Sequence, residues 1–366
     1  MSATSRLAEH VGFDGQVVFE TIGDAVVPWR FGSFETDYDN IRQGVAAIDL
    51  SGAGLVGVRG SGAEDLLQAS FTRDISYMTP ERTVSGLILR EDGRPLDAVT
   101  VFRTDDQFIV QTSIGRGTEV RAALAERAEQ VSAEVDVSDA SEQFVLIGVE
   151  GPRTVEAVAP LLTEPIDGLP FQAVRRTPWR DGEVVVSRSG STSEFGYTFL
   201  ASWEQAAEVW NAVASVAEPT GWEAMEAAMI EVRQPVMHRE LFDDDTVISA
   251  GLNWLVDIEK EDFVGRDAVV AEVDLDTSSQ RVSIVSDVAL ARGMQLASDG
   301  DVLGDVAHAV YSPSLGAHCG IARVRNGACA SGLELAVVDA AGGPLGTARS
   351  VSSPAVVPTS WKSLRS

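Results

Sequence analysis

Residues 85–113, SGLILREDGRPLDAVTVFRTDDQFIVQTS, restrict the fold more than any other part of this chain. Three apolar runs are separated only by the tight segments EDGR and TDDQ. Connections that short join antiparallel neighbours, because a parallel pair needs a crossover of a dozen or more residues. An antiparallel sheet is therefore expected here, and helical signals surround it. Tyr38, Ile41, Val45 and Ile48 recur at three to four residues, which predicts a helix leading into a strand. SGAEDLLQAS starts like a helix, with Ser61 as N-cap and Glu64 three residues on. Further helices are expected over 117–131, 203–217 and 221–234, the last stopped by Pro235. FVLIGVEGP reads as a buried strand running into a Gly-Pro turn, with a helix after it. VVVSRSGSTSEFGYTFLA reads as a hairpin around Gly and Ser. The class is α+β.

With 366 residues, the chain is too long for one compact core. The polar stretch 272–281, EVDLDTSSQR, is the expected junction. Beyond it come short strands broken by glycine: RVSIVS, DVLGDVAHAV, GIARVR, LELAVVD and ARSVSSPAVV. They predict a small antiparallel sandwich or barrel. The division is 1–271 and 282–366, with no fixed-period repeat.

Fifty-five acidic residues against 28 basic ones give a net charge of −27, and Lys260 and Lys362 are the only lysines. Nucleic acids and anionic membranes would be repelled by that field, so neither is an expected partner. An acidic, lysine-poor composition suits concentrated salt, where repulsion is screened within about 3 Å at 1 M. A GC-rich genome that writes Arg for Lys would produce the same bias. No apolar run approaches a membrane span and the N-terminus has no apolar leader core, so a cytoplasmic location is expected. Two cysteines, Cys319 and Cys329, are too few for a disulfide framework or a cysteine metal site.

Standard catalytic templates find little. The histidines 10, 238, 308 and 318 show no helical zinc spacing, and GxGxxG and Walker A sequences are absent. RSGSTSEFG is not a nucleophile elbow. FDDDT lacks EF-hand spacing and reads as a solvated acidic loop. Asp97 stands out: it follows a turn, in GRPLDAVTVFR, and sits among apolar residues at a strand start. Burial there would raise its pKa and make it a proton acceptor. The commoner alternative is a turn aspartate bonding nearby backbone N–H groups.

Several blocks in order carry a family resemblance: FETDYDNIRQGVAAIDLSG, GSGAEDLLQASFTRDI, LREDGRPLDAVTVFR, IGVEGP, SRSGSTSEFGYTF, SAGLNWLVDIEKEDFVGRDAV, SPSLGAHCGIARV and VPTSW. They span roughly residues 28 to 361 and resemble the aminomethyltransferase, or glycine cleavage T-protein, family of tetrahydrofolate-dependent one-carbon transferases. The resemblance implies a three-domain ring of α+β type ending in a small β domain. Tetrahydrofolate would sit in a central cavity formed by residues 1–271, and an aminomethyl or methyl group would move to its N5. Asp97 matches the family's essential aspartate beside that nitrogen. Trp361 falls where the family has an aromatic residue at the ligand site.

The departures are specific. The family's Ser-His-Met is Ser51-Gly52-Ala53 here, and its asparagine after the third strand is Thr112. The glutamate that grips the pterin aligns with Thr198, while the neighbouring motif glutamate persists as Glu194. The arginine that accompanies it aligns with Met225, and a second motif arginine with Met229. Threonine cannot replace a carboxylate as acceptor for paired N–H donors, a loss of about 1.5–3 kcal/mol. The Lys-Gly-Cys motif of the iron–sulfur-repair branch is absent. The expected activity is a tetrahydrofolate-dependent transferase acting on a small methylated or aminomethylated donor, including a demethylase. The alternatives are a glycine cleavage T-protein served by a lipoylated carrier protein, and a non-catalytic binding or scaffold paralogue.

Overall fold

The computed structural model describes residues 4–13, 15–130, 134–180, 182–273, 279–339 and 341–363. The expected antiparallel sheet forms, and it has five strands. The strands Thr83–Leu89, Pro95–Arg103 and Phe108–Ile114 follow one another, and Ala53–Arg59 and Asp136–Asp139 complete the sheet. One face packs on the helices Ala63–Ser70 and Gly117–Ala128 around Leu66, Leu67, Val99 and Val101.

A second sheet has six strands, with Phe144–Glu150 between Gly196–Ser202 and Ala46–Asp49. Phe144–Glu150 is buried along nearly its whole length, as a central strand of branched residues should be. The helix Trp203–Ala214 covers this sheet through Ala206, Val209, Trp210 and Val213.

Beyond the first two sheets lies a closed six-stranded barrel built from Ser279–Ser286 to Pro344–Val351. Closure removes both sheet edges, which suits strands as short as Gln295–Ser298. The expected junction falls partly on residues 274–278, outside the described residues; residues 279–281 already belong to the first barrel strand.

The helix Trp222–Glu231 lies where these parts meet. Nine of its ten residues are buried, because alanine, methionine and isoleucine surround it on every side. It packs on the helix Phe34–Arg42, the strand Ala25–Arg30 and the barrel strands Asp301–Ser312 and Ala317–Arg325. Its first turn comes so close to the chain at Trp29 that a Cβ on Gly221 would lie 2.2 Å from the Trp29 carbonyl oxygen.

Some boundaries differ from expectation. The first periodic stretch is helical only over Phe34–Arg42; Val45 leads into the strand Ala46–Asp49, which contains Ile48. One apolar face toward a core satisfies both periodicities at such a junction. Ser61 is not an N-cap: the helix starts at Ala63 after Gly62 with no side-chain cap. Among the described residues, no helix is long and apolar enough to cross a membrane.

Candidate active site

Between the two sheets and the end of the helix Trp222–Glu231 lies a cavity of about 390 Å³. Strand alternation builds its first wall. Ala98, Val99 and Thr100 line it from Pro95–Arg103, and the Val99 and Val101 side chains also belong to the core behind. Ser85 is the cross-strand partner of Thr100, and their hydroxyls share a 2.9 Å hydrogen bond. Gln111 and Thr112 follow from the next strand. The second sheet contributes Glu150 and Thr198, and the loop between its strands Gly182–Ser187 and Gly196–Ser202 contributes Ser189 and Gly190; the central helix contributes Trp222 and Met229. Phe171 and Trp254, 62% and 51% exposed, line the cavity and also reach solvent.

Asp97 lies directly behind the first wall, next to Ala98. It is fully buried. Its Oδ2 accepts a 2.8 Å hydrogen bond from the N–H of Ser113, a wall residue, and its Oδ1 has no partner. Burial pushes its pKa up to about 6, against the lowering influence of Ser113 and the Arg116 charge. Asp97 is not itself a lining residue: along this strand it shares the face of Val99 and Val101, and its unsatisfied Oδ1 is buried behind the wall.

The other expected site residues separate into two groups. Thr112 and Thr198 are on the wall. The Thr112 Oγ1 is committed to the backbone, accepting from the Gly54 N–H at 3.0 Å and donating to the Ser113 carbonyl at 2.8 Å. The Thr198 hydroxyl pairs with that of Ser189 at 2.8 Å.

Glu194, Met225 and Trp361 do not line this cavity. Glu194 is buried against Arg42 at 3.0 Å and also accepts from the Thr359 and Ser360 N–H groups, so it holds the C-terminal segment in place. Met225 packs in the core, and Met229, one turn further on, takes the wall position. Four residues displace a helical side chain by about 6 Å along the axis, enough to move it off the site. Trp361, 45% exposed, lies on the short helix Thr359–Ser363.

Two features escaped sequence reasoning. Glu150 is a buried cavity carboxylate, and in sequence it was only the end of an apolar strand. His238, also on the wall, is held through Nε2 at 2.7 Å by Glu226. Glu226 stays ionised down to about pH 2, since the His238 bond, the His308 ring 3.4 Å away and the Arg239 charge outweigh its burial. No periodicity announces such a pair: its members come from different elements. Among the described residues, no group of three or more ligating side chains could hold a metal ion.

Residues 7–260 match the family model described as the GCVT N-terminal domain. A protein of Streptomyces coelicolor named aminomethyltransferase is 30% identical over 328 residues, covering 86% of this chain and 88% of the relative. An aminomethyltransferase of Mycobacterium avium is 27% identical, with 84% of each chain covered. The crystal structure of the glycine cleavage system aminomethyltransferase T from Bartonella henselae superposes with a TM-score of 0.83 over 96% of both chains, at 21% identity. That likeness establishes the fold: the α+β architecture with its terminal barrel is that of the T-protein type.

Proposed function

The chain belongs to the aminomethyltransferase family, and from that premise we propose that it moves a one-carbon group from a small donor to tetrahydrofolate inside this cavity. The observation that carries the reading is Asp97, a buried carboxylate behind the cavity wall with one oxygen fixed by the wall residue Ser113 and the other unpartnered. When bound, tetrahydrofolate supplies the nitrogen that accepts the one-carbon unit. The free Oδ1 of Asp97 would hold the proton that the accepting nitrogen gives up when the one-carbon unit parts from its donor, the donor keeping the electron pair of the broken bond. With a pKa of about 6 Asp97 is mostly ionised at neutral pH yet more basic than an ordinary carboxylate. The rigid Ser113 contact keeps it from turning away. Phe171, Trp222 and Trp254 offer flat faces on which a heterocycle can stack.

An aminomethyl group carried on a lipoylated protein is the second donor reading, supported by the names of the aminomethyltransferase relatives. Ser51-Gly52-Ala53 and Thr198 support a small N-, O- or S-methylated donor instead, and so a demethylase. A scaffold role leaves the unsatisfied oxygen of Asp97 without a purpose. The acidic, lysine-poor composition supports work in a salt-rich cytoplasm.

Calorimetric titration with tetrahydrofolate at low and high KCl tests the reading. Saturable binding is expected under at least the high-salt condition; no binding under either overturns it.

A further inference from the structure

The loss of the pterin-gripping glutamate at Thr198 leaves the cavity in need of another acceptor, and the neighbouring strand supplies one. Thr198 pairs with Gly148 across the sheet, and Gly196 pairs with Glu150. Residues two apart along a strand share a face, so Glu150 and Thr198 are diagonal neighbours on the same face. Both line the cavity.

The surroundings are shaped for this carboxylate. A Cβ on Gly190 would stand 3.1 Å from its Oε2, and one on Gly196 would stand 3.1 Å from its Cγ. The Oε2 accepts from the Thr192 N–H at 2.9 Å, the Thr192 hydroxyl at 2.5 Å and the Ser191 N–H at 3.1 Å. The Oε1 shares only that last donor, at 3.0 Å, and so keeps accepting capacity. Among the described residues Glu150 has no ion-pair partner. Burial pushes its carboxyl above the usual range; the Ser191 and Thr192 bonds and the nearby Arg42 charge act against this, but the Arg42 guanidinium bonds Glu194 and Glu231. An anion buried without a counter-charge is costly unless donors reach it. A neutral amide would still accept the Thr192 bonds through its oxygen.

We propose that Glu150 is the carboxylate that accepts an N–H donor of the folate heterocycle through its Oε1, one strand over from the position that Thr198 occupies in place of the family's glutamate. The assignment rests on the folate reading above and makes Glu150 the specificity-determining residue of the cavity. Its Oε1 accepts the ligand's N–H, while the Oε2 bonds to Thr192 hold the carboxylate in orientation.

Calorimetry with tetrahydrofolate as probe, on the full chain in high salt, tests it. Glu150→Gln presents an NH₂ where an acceptor is needed and is expected to weaken binding about 10- to 100-fold. Thr192→Val removes one of the bonds that orient the carboxylate but keeps the carboxylate and both loop N–H donors, and should weaken binding less than Glu150→Gln does. Adding Thr198→Glu to Glu150→Gln returns a carboxylate to the same face and should recover affinity. Wild-type binding with unchanged affinity in Glu150→Gln overturns this assignment and leaves the folate reading standing. Equal weakening by Thr192→Val also overturns it, since loop order would then be the cause. Absence of binding in the wild-type chain overturns the folate reading itself.

Discussion

At Asp97, the proposed catalytic role and stability oppose each other. Burial raises its pKa from 3.8 to about 6, so the folded chain holds a proton there that the unfolded chain has released. The sign follows from linkage: the penalty is absent below about pH 4, grows between about 4 and 6, and is complete above. Asp97→Asn should therefore stabilise the protein by about 1–3 kcal/mol at neutral pH and by little near pH 4. Melting temperatures of both proteins across that range give the measurement, and a mutant gain independent of pH would contradict it. The same substitution should lower turnover by about 10²-fold or more while leaving tetrahydrofolate affinity within a few-fold. Wild-type turnover should rise with pH through about 6 as the carboxylate ionises.

At the scale of elements, the central helix and its polar clamp decide how the cavity is framed. Arg42 joins Glu231 at 2.7 Å and Glu194 at 3.0 Å, and Tyr38 and Ser312 also donate to Glu231. This cluster ties the helices Phe34–Arg42 and Trp222–Glu231 to the barrel and to the C-terminal segment. Arg42→Ala would strand two buried carboxylates, and denaturant unfolding should show a loss of about 3–5 kcal/mol. Met225 is the contrasting case. It stands away from the cavity wall, so a joint Thr198→Glu and Met225→Arg change cannot be expected to rebuild a charged pair across a ligand. Met225→Arg alone buries a charge in the core and should cost several kcal/mol, whereas Met225→Leu should cost less than about 1.5 kcal/mol. Equal stability of the two variants would show that the helix is less buried than described.

For the whole molecule, charge is the leading variable. Lys260, one of the two lysines, is buried, and its ammonium donates to the carbonyls of Gln68, Phe71 and Arg73. Burial lowers its pKa to about 8. The surface therefore sets its many carboxylates against arginine almost alone, and the chain carries a net charge of −27. Self-repulsion of this size is screened by salt. The melting temperature should climb steeply between about 0.1 and 2 M KCl. A flat response would point to codon bias rather than salt adaptation as the origin of the composition.

The strand–turn–strand run over 85–113 and the glycine-broken strands of the C-terminal region were legible because strand alternation and tight turns are local properties. They led to the antiparallel sheet and to a sandwich or barrel, and Asp97 showed as an acid at the wrong place on an apolar strand. Ordered sequence blocks led to the family. Barrel closure, by contrast, depends on pairing Ser279–Ser286 with Pro344–Val351 across the length of the domain, which no local pattern records. Which side chains face the cavity was decided by the same kind of distance. Glu150 becomes a cavity carboxylate because Gly190 and Gly196 give it room from another part of the chain. His238 becomes a wall residue through Glu226, twelve positions earlier on another helix. Met229 rather than Met225 reaches the cavity because a helix turn displaces the side chain by more than the width of the wall position. Periodicity assigns a residue to a face; only the packing of elements decides what that face meets.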